Sequence, residues 1–209
     1  LMQHQFGYLQ RFSMRTCKAL LTWYNSIVNL FFRIVTITLF IILHSYWRLK
    51  DKGIEKAFDF GKNPLQSIFH KSALSYAQVI VLLQLTVLTI FPFPSFPPVL
   101  QLVTVLVSVT GLTICIVARR ALGNNWINAK DYQLHKNPQL VTNGVYKHIR
   151  HPIYLGVNLM LTGAELLTNT YLIILLPFIY FWTYKQAKKE EQLLLTRFGK
   201  DYENYLAKT

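Results

Sequence analysis

The sequence is poor in charge, and above all in negative charge. Only 15% of its 209 residues are charged, and 9 acidic residues face 22 basic ones, so the formal net charge is +13. With 52% apolar residues and a positive mean hydropathy, this composition is typical of a membrane protein and not of a soluble domain. Basic chains also bind nucleic acid, but here long stretches without Lys or Arg separate the basic residues. We therefore expect membrane lipid as a partner, and not nucleic acid.

Cysteine is almost absent. Cys17 and Cys115 are too few and too far apart for a disulfide framework or a metal site. Cys115 lies in an apolar run and is interpreted as a small core residue. The sequence therefore predicts no metal.

Five apolar segments are candidates for membrane crossings. About 20 helical residues cross a hydrocarbon layer of ~30 Å, and the first three segments reach roughly that length, whereas the last two would be only about 24 and 21 Å long. Proline density at 91–98, FPFPSFPP, forbids a continuous helix and predicts a hairpin there, with a second hairpin at Asn169-Thr170. The segments are Ile27–Trp47, Leu74–Phe91, Val99–Ala118, Ile153–Thr168 and Tyr171–Tyr184.

The basic residues predict the orientation of these segments. All but four Lys and Arg residues fall in three blocks, 48–71, 119–152 and 185–209, with six in each. The positive-inside rule places the three blocks in the cytoplasm and the two uncharged turns outside. Five crossings then put the N-terminus outside, although Arg11, Arg15 and Lys18 leave open an interfacial helix or an incomplete first crossing.

We therefore predict an all-α integral membrane protein with about five transmembrane helices, located in a bacterial inner membrane or the endoplasmic reticulum. Residues 1–209 form a single membrane domain. Within it we distinguish an N-terminal segment, 1–26, the first three spans, 27–118, and a C-terminal half, 119–209, that contains the last hairpin.

Two polar clusters flank that last hairpin. Pro152 opens the fourth apolar segment, which places Arg150 and His151 at a helix N-terminus, where free amides favour an anionic ligand. After the fifth segment, Gln186 and Glu190 share a helix face one turn apart. The alternatives are that Arg150 and His151 snorkel at the headgroups, and that the second cluster is an amphipathic helix on lipid with balanced charges.

Glu165 lies within the fourth segment. A carboxylate inside a membrane is costly and counts as a functional candidate by default. Since Glu165 is close to the outer end of the segment, beside Thr168 and Asn169, we expect exposure at the membrane interface to explain it.

The two clusters, in this order and separated by one hairpin, resemble the isoprenylcysteine carboxyl methyltransferase family and the related membrane phospholipid methyltransferases. The resemblance covers about residues 119–206. Its motifs are Leu140-Val141-Thr142-x-Gly144-Val145-Tyr146, Arg150-His151-Pro152-x-Tyr154-x-Gly156 and Glu190-Glu191-x-x-Leu194-x-x-x-Phe198-Gly199-x-x-Tyr202-x-x-Tyr205.

The resemblance implies a site for S-adenosylmethionine that faces the cytoplasm, with a lipophilic methyl acceptor entering from the bilayer. It implies catalytic roles for Arg150, Gln186 and Glu190. The cofactor carries a carboxylate, an ammonium and a sulfonium, so it requires both donors and an acceptor. The implied cofactor contacts are Leu140, Val141, Tyr146, His151, Pro152, Ile153, Tyr154 and Glu190.

One position departs from the family. Prenylcysteine methyltransferases resemble one another in an Arg four residues before the first Glu of the pair, where this chain has Gln186. The acceptor is therefore open between a prenylcysteine, a phospholipid amine and a small lipophilic amine or thiol. Other interpretations are an NADPH-dependent sterol-type reductase, which looks similar around the RHP motif, and a membrane protein without catalytic activity.

Overall fold

The computed structural model describes residues 2–57, 73–86, 96–125 and 139–209. Secondary structure in these ranges is helical except for an isolated bridge residue, Thr170, which confirms the predicted helical class. Short 3-10 turns occur at Gly123–Asn125, Gly144–Lys147 and Tyr171–Leu175. The α-helices are α1 (Met2–Ala57), α2 (Ala73–Thr86), α3 (Pro98–Leu122), α4 (Pro152–Thr168), α5 (Leu176–Phe198) and α6 (Lys200–Lys208).

The helix bounds agree best with the sequence in the middle of the chain. Helices α3 and α4 coincide with the predicted third and fourth segments to within a few residues. The N-terminal segment 1–26 is not a separate element, because α1 continues through position 27 without a break. The first hairpin lies mostly outside the described residues.

The predicted fifth segment is wrong at its start. Residues Tyr171–Leu175 form a 3-10 turn, and the α-helix begins only at Leu176. Pro177 stands in its first turn, where proline is tolerated because no intrahelical N–H bond is lost. Helix α5 continues well beyond Tyr184 and ends at Phe198, before Gly199, whose φ of 52° lies in the left-handed region.

Within the described ranges, two helical stretches are long and apolar enough to cross a bilayer. They are Ala19–Trp47 within α1 and Pro98–Leu122, the whole of α3. Together with the exposed apolar side chains along both helices, they support the predicted membrane character of the chain.

Helices α3 and α4 form the most extensive contact among the described elements, because small residues allow their backbones to approach. A Cβ atom at Gly156 would lie 2.6 Å from Sγ of Cys115 and 2.6 Å from the carbonyl oxygen of Gly111. Gly163 is likewise closed in by the Thr104 carbonyl and the Ser108 hydroxyl. Small residues at such positions are typical of closely packed helices in membranes.

The C-terminal end of α4 holds a buried polar network. Glu165 is 5% exposed, so the expected interface exposure is wrong. Its Oε2 accepts hydrogen bonds from the hydroxyls of Thr168 and Thr170, both at 3.2 Å. The Gln84 amide of α2 donates to Thr170 Oγ1 at 3.2 Å. These bonds offset the cost of burying the carboxyl group and tie α2 to the end of α4.

Candidate active site

The polar loop before α4 brings its side chains to the helix start. Gly144 has a φ of 58°, which glycine adopts without the steric cost that a side chain would add. Tyr146 is buried, and its backbone carbonyl accepts a 2.7 Å hydrogen bond from the Tyr205 hydroxyl of α6. Pro152 is the first residue of α4, as predicted. Arg150 and His151 therefore stand at the N-terminus of α4, with α5 and α6 beside them.

Glu191 is the centre of a cluster of charges at this point. Its carboxylate contacts Lys188 Nζ at 2.6 Å, Arg150 at 3.4 Å and His151 Nε2 at 3.4 Å. Burial raises the pKa of Glu191, but Lys188, His151 and Arg150 outweigh it, so the net shift of the pKa is downward. Glu191 is therefore an ionised carboxylate whose charge is already offset by its neighbours.

Glu190 has a different environment. The Tyr154 hydroxyl donates to its Oε1 at 2.5 Å. Within the described residues its ion-pair contact is with His151 alone, where Oε2 lies 3.7 Å from Nδ1. Burial raises the pKa of Glu190, and the Tyr154 hydrogen bond opposes this only in part. Burial also lowers the pKa of His151, which makes it a weak counter-charge. Glu190 can thus accept a cationic group.

A cleft of about 610 Å³ opens between the loop before α4 and helix α6. Tyr205, whose hydroxyl holds Tyr146, forms one of its walls. Asp201 and Asn204 supply polar atoms from α6. The full lining is Leu140, Thr142, Lys147, His148, Asp201, Asn204, Tyr205, Lys208 and Thr209.

The structure groups some of the predicted site residues and separates others. Arg150, His151, Tyr154 and Glu190 meet at the start of α4. Leu140 lines the cleft. The remaining predicted residues lie apart from this group. Val141 is half-buried in the loop, Gln186 is half-buried on α5, and Tyr146 and Pro152 are buried. Ile153 packs on the core, and its carbonyl accepts a hydrogen bond from the Cys115 thiol at 3.7 Å.

Sequence reasoning missed the central role of Glu191. The balanced charges that the sequence offered as one interpretation of this helix occur at Glu191, which contacts Lys188. They do not extend to Glu190, the other glutamate of the pair. The spacing of three residues between Lys188 and Glu191 could have predicted this contact, because such residues are neighbours on a helix surface. Tyr205 belongs to the recognised motif, but its contact with Tyr146, 59 positions earlier, has no local signature.

Known proteins match the part of the chain that carries this site. Residues 99–201 match the phospholipid methyltransferase family. A protein-S-isoprenylcysteine O-methyltransferase of Schizosaccharomyces pombe is 33% identical over 76 residues, which cover 35% of this chain and 32% of that protein. A Dictyostelium discoideum protein of the same name is 27% identical over 99 residues, or 46% of this chain and 42% of that protein.

The matched regions span less than half of either relative. The RHP motif at the start of α4 and the glutamate pair of α5 lie inside the family match, 99–201. Residues 99–201, just under half of the chain, are thus similar to the phospholipid methyltransferase family, and the resemblance to the isoprenylcysteine carboxyl methyltransferases, predicted from the motifs, is confirmed.

Proposed function

We propose that this chain is an S-adenosylmethionine-dependent methyltransferase that acts on a lipophilic acceptor at the membrane. The observation that carries the proposal is the contrast between two adjacent carboxylates. Glu191 is paired with three basic side chains, whereas Glu190 has a phenol and a distant imidazole. A half-buried carboxylate without a strong counter-charge attracts a cationic ligand.

The residues present fit the proposed cofactor. Its ammonium or sulfonium would be held by Glu190 and its carboxylate by His151 and the free amides at the start of α4. The cleft beside Leu140 and Tyr205 is large enough for the remaining part of the molecule. When bound, the cofactor supplies an electrophilic methyl group. The protein's own contribution is to position the two reactants and to exclude water.

The assignment of individual roles is part of the proposal. Arg150 orients the site while it is held by Glu191. Gln186, one turn before Glu190 on α5, faces the acceptor as a hydrogen-bonding group. The cofactor contacts expected from the resemblance (Leu140, Val141, Tyr146, His151, Pro152, Ile153, Tyr154 and Glu190) are proposed unchanged.

Calorimetric titration with S-adenosylmethionine in detergent micelles tests the cofactor. We expect binding by the wild type and a loss of at least about tenfold in affinity for both Glu190→Ala and His151→Ala, equivalent to about 1.4 kcal/mol. Glu203→Ala is the matched control, because it removes an exposed acid from α6. Unchanged affinity in both site variants, with the helical content retained, would remove the cofactor assignment.

We also propose five membrane crossings with the site facing the cytoplasm, on the basis of the three basic blocks. A cysteine-free protein with single cysteines at Lys147 and Lys208 tests the orientation. An impermeant thiol reagent should label both sites only after the cells are broken. A cysteine at Tyr171, beside the second turn, should react in intact cells. Labelling of Lys147→Cys or Lys208→Cys before breakage would overturn the topology.

A further inference from the structure

The face of α4 that meets α5 carries polar side chains at successive turns, and the mechanism above uses only the first of them. Tyr154, Asn158 and Thr162 are spaced four residues apart. Across the contact, Tyr154 meets Glu190, Asn158 meets Thr183, and Thr162 meets Tyr180. We call these three pairs the polar seam. At 1.5 Å per residue it extends about 12 Å from Glu190 toward the middle of the apolar layer.

The direction of the hydrogen bonds in the seam follows from counting protons. The Thr183 hydroxyl has one proton, and it donates this proton to the Tyr180 carbonyl at 2.9 Å. Thr183 Oγ1 must then accept from Asn158, so the atom of Asn158 that faces it at 2.9 Å is Nδ2. The amide orientation of Asn158 is thereby determined, and its Oδ1 points away from Thr183.

The same count applies one turn further along. Thr162 donates its proton to the Asn158 carbonyl at 2.7 Å, so the Tyr180 hydroxyl is the donor to Thr162 Oγ1. Every hydroxyl proton of the seam is therefore used in a hydrogen bond, so no hydroxyl of the seam is left to donate to Asn158 Oδ1. Asn158 Oδ1 remains, buried and with no hydrogen-bond partner among the residues that the structure describes. An acceptor that is buried without a donor is unfavourable unless a ligand supplies one.

We propose that Asn158 determines specificity for the methyl acceptor by accepting a hydrogen bond from an N–H or O–H group of its head. This inference rests on the proposed function. Asn158 lies one helical turn from Tyr154, so a head group bound there is next to the Glu190 end of the seam. Oδ1 is enclosed, so the acceptor reaches it when α4 and α5 part. These helices are joined by side-chain hydrogen bonds, whereas α3 and α4 are locked by close backbone contact.

Two amphiphiles with the same chain test the proposal. Dodecylammonium carries N–H donors, and dodecyltrimethylammonium carries none. Binding to the full chain in nanodiscs is followed by tryptophan fluorescence, with empty nanodiscs subtracted. We expect the wild type to prefer dodecylammonium by about tenfold and Asn158→Leu to lose that preference. Thr162→Val, the matched control on the same helix face, should keep it.

The outcomes separate this proposal from the proposed function. Asn158→Leu should bind S-adenosylmethionine as tightly as the wild type, because the residue contacts the acceptor and not the cofactor. If Asn158→Leu does not fold, Asn158→Asp replaces it, and its carboxylate should strengthen the preference for dodecylammonium. Equal binding of the two amphiphiles by the wild type, or an unchanged preference in Asn158→Leu, would overturn the role of Asn158. Absence of cofactor binding in the wild type would instead refute the methyltransferase assignment.

Discussion

The two faces of α4 are built in different ways. One face packs on α3 through Gly156 and Gly163, where backbones approach so closely that no side chain fits between them. The other face meets α5 through hydrogen bonds of Tyr154, Asn158 and Thr162. In the apolar interior of a membrane, close packing and polar contacts are the main sources of helix association. Close packing yields a rigid contact, whereas hydrogen bonds yield a contact whose partners a ligand can replace.

This difference assigns the two neighbours of α4 to different tasks. Helix α3 fixes the position of α4, and with it the position of Arg150 and His151 at the helix start. Helix α5 contributes Glu190 and Glu191 and completes the site. The rigid α3–α4 contact would keep His151 and the amides at the start of α4, which are among the groups proposed to hold the cofactor, in place when the proposed acceptor binds at the α4–α5 boundary. The predictions below test each face in turn.

Adjacent substitutions on α4 should have very different effects on stability. Gly163→Leu places a side chain against the backbone of α3 and should cost about 3 kcal/mol, because the two helices cannot separate without losing their contact. Thr162→Val removes the hydrogen bond from the Tyr180 hydroxyl and the local one to the Asn158 carbonyl, and it should cost about 1 kcal/mol or less. Thermal unfolding in detergent, followed by tryptophan fluorescence, measures both. Similar losses in the two variants would mean that the faces do not differ as described.

A second substitution tests whether α5 contributes to binding of the proposed acceptor. Gln186 offers a hydrogen bond but no charge, so we expect weak activity on a farnesylated cysteine analogue. Gln186→Arg should increase this activity by about tenfold, because a charge-assisted bond to the carboxylate is worth roughly 1.5 to 3 kcal/mol. Lys185 is a poor substitute, since its Nζ lies 4.6 Å from the centroid of the Phe181 ring.

Gln192→Arg is the control for this experiment, because it adds the same charge at an exposed position of α5. Efficient methylation of the analogue by the wild type, together with impairment by Gln186→Arg, would restore the prenylcysteine as the acceptor. If neither protein acts on it while the cofactor binds, an amine-bearing phospholipid is the next acceptor to test.

The smallest expected effect concerns the pH dependence of cofactor affinity. A cationic ligand binds ionised Glu190, so binding should weaken as the pH falls through the raised pKa of this residue. Tyr154→Phe removes the hydrogen bond that favours the carboxylate, so it should raise this pKa and move the loss of affinity to a higher pH. Titrations between about pH 5 and 8 compare the two proteins. If the pH at which half of the affinity is lost is the same in both proteins, the phenol of Tyr154 does not stabilise the charge of Glu190.

Much of the architecture was predictable because it depends on local chemistry. Apolar length identified α3 and α4, and proline at position 152 marked the start of α4. The late start of α5 was missed because apolar periodicity does not distinguish a 3-10 turn from an α-helix. The exposure of Glu165 was misjudged because Gln84, which donates to Thr170 in the network around Glu165, lies 81 positions before Glu165 in the chain.

The sequence by itself determined the apolar helices, the basic blocks and the two polar clusters that carry the family motifs, because each is a property of neighbouring residues. It could not distinguish Glu190 from Glu191, which are adjacent, identical and both within reach of lysines. Only the tertiary structure decided between them. Adjacent positions on a helix point about 100° apart, so the packing of α5 against α4 directs Glu191 to Arg150 and Lys188 and Glu190 to Tyr154.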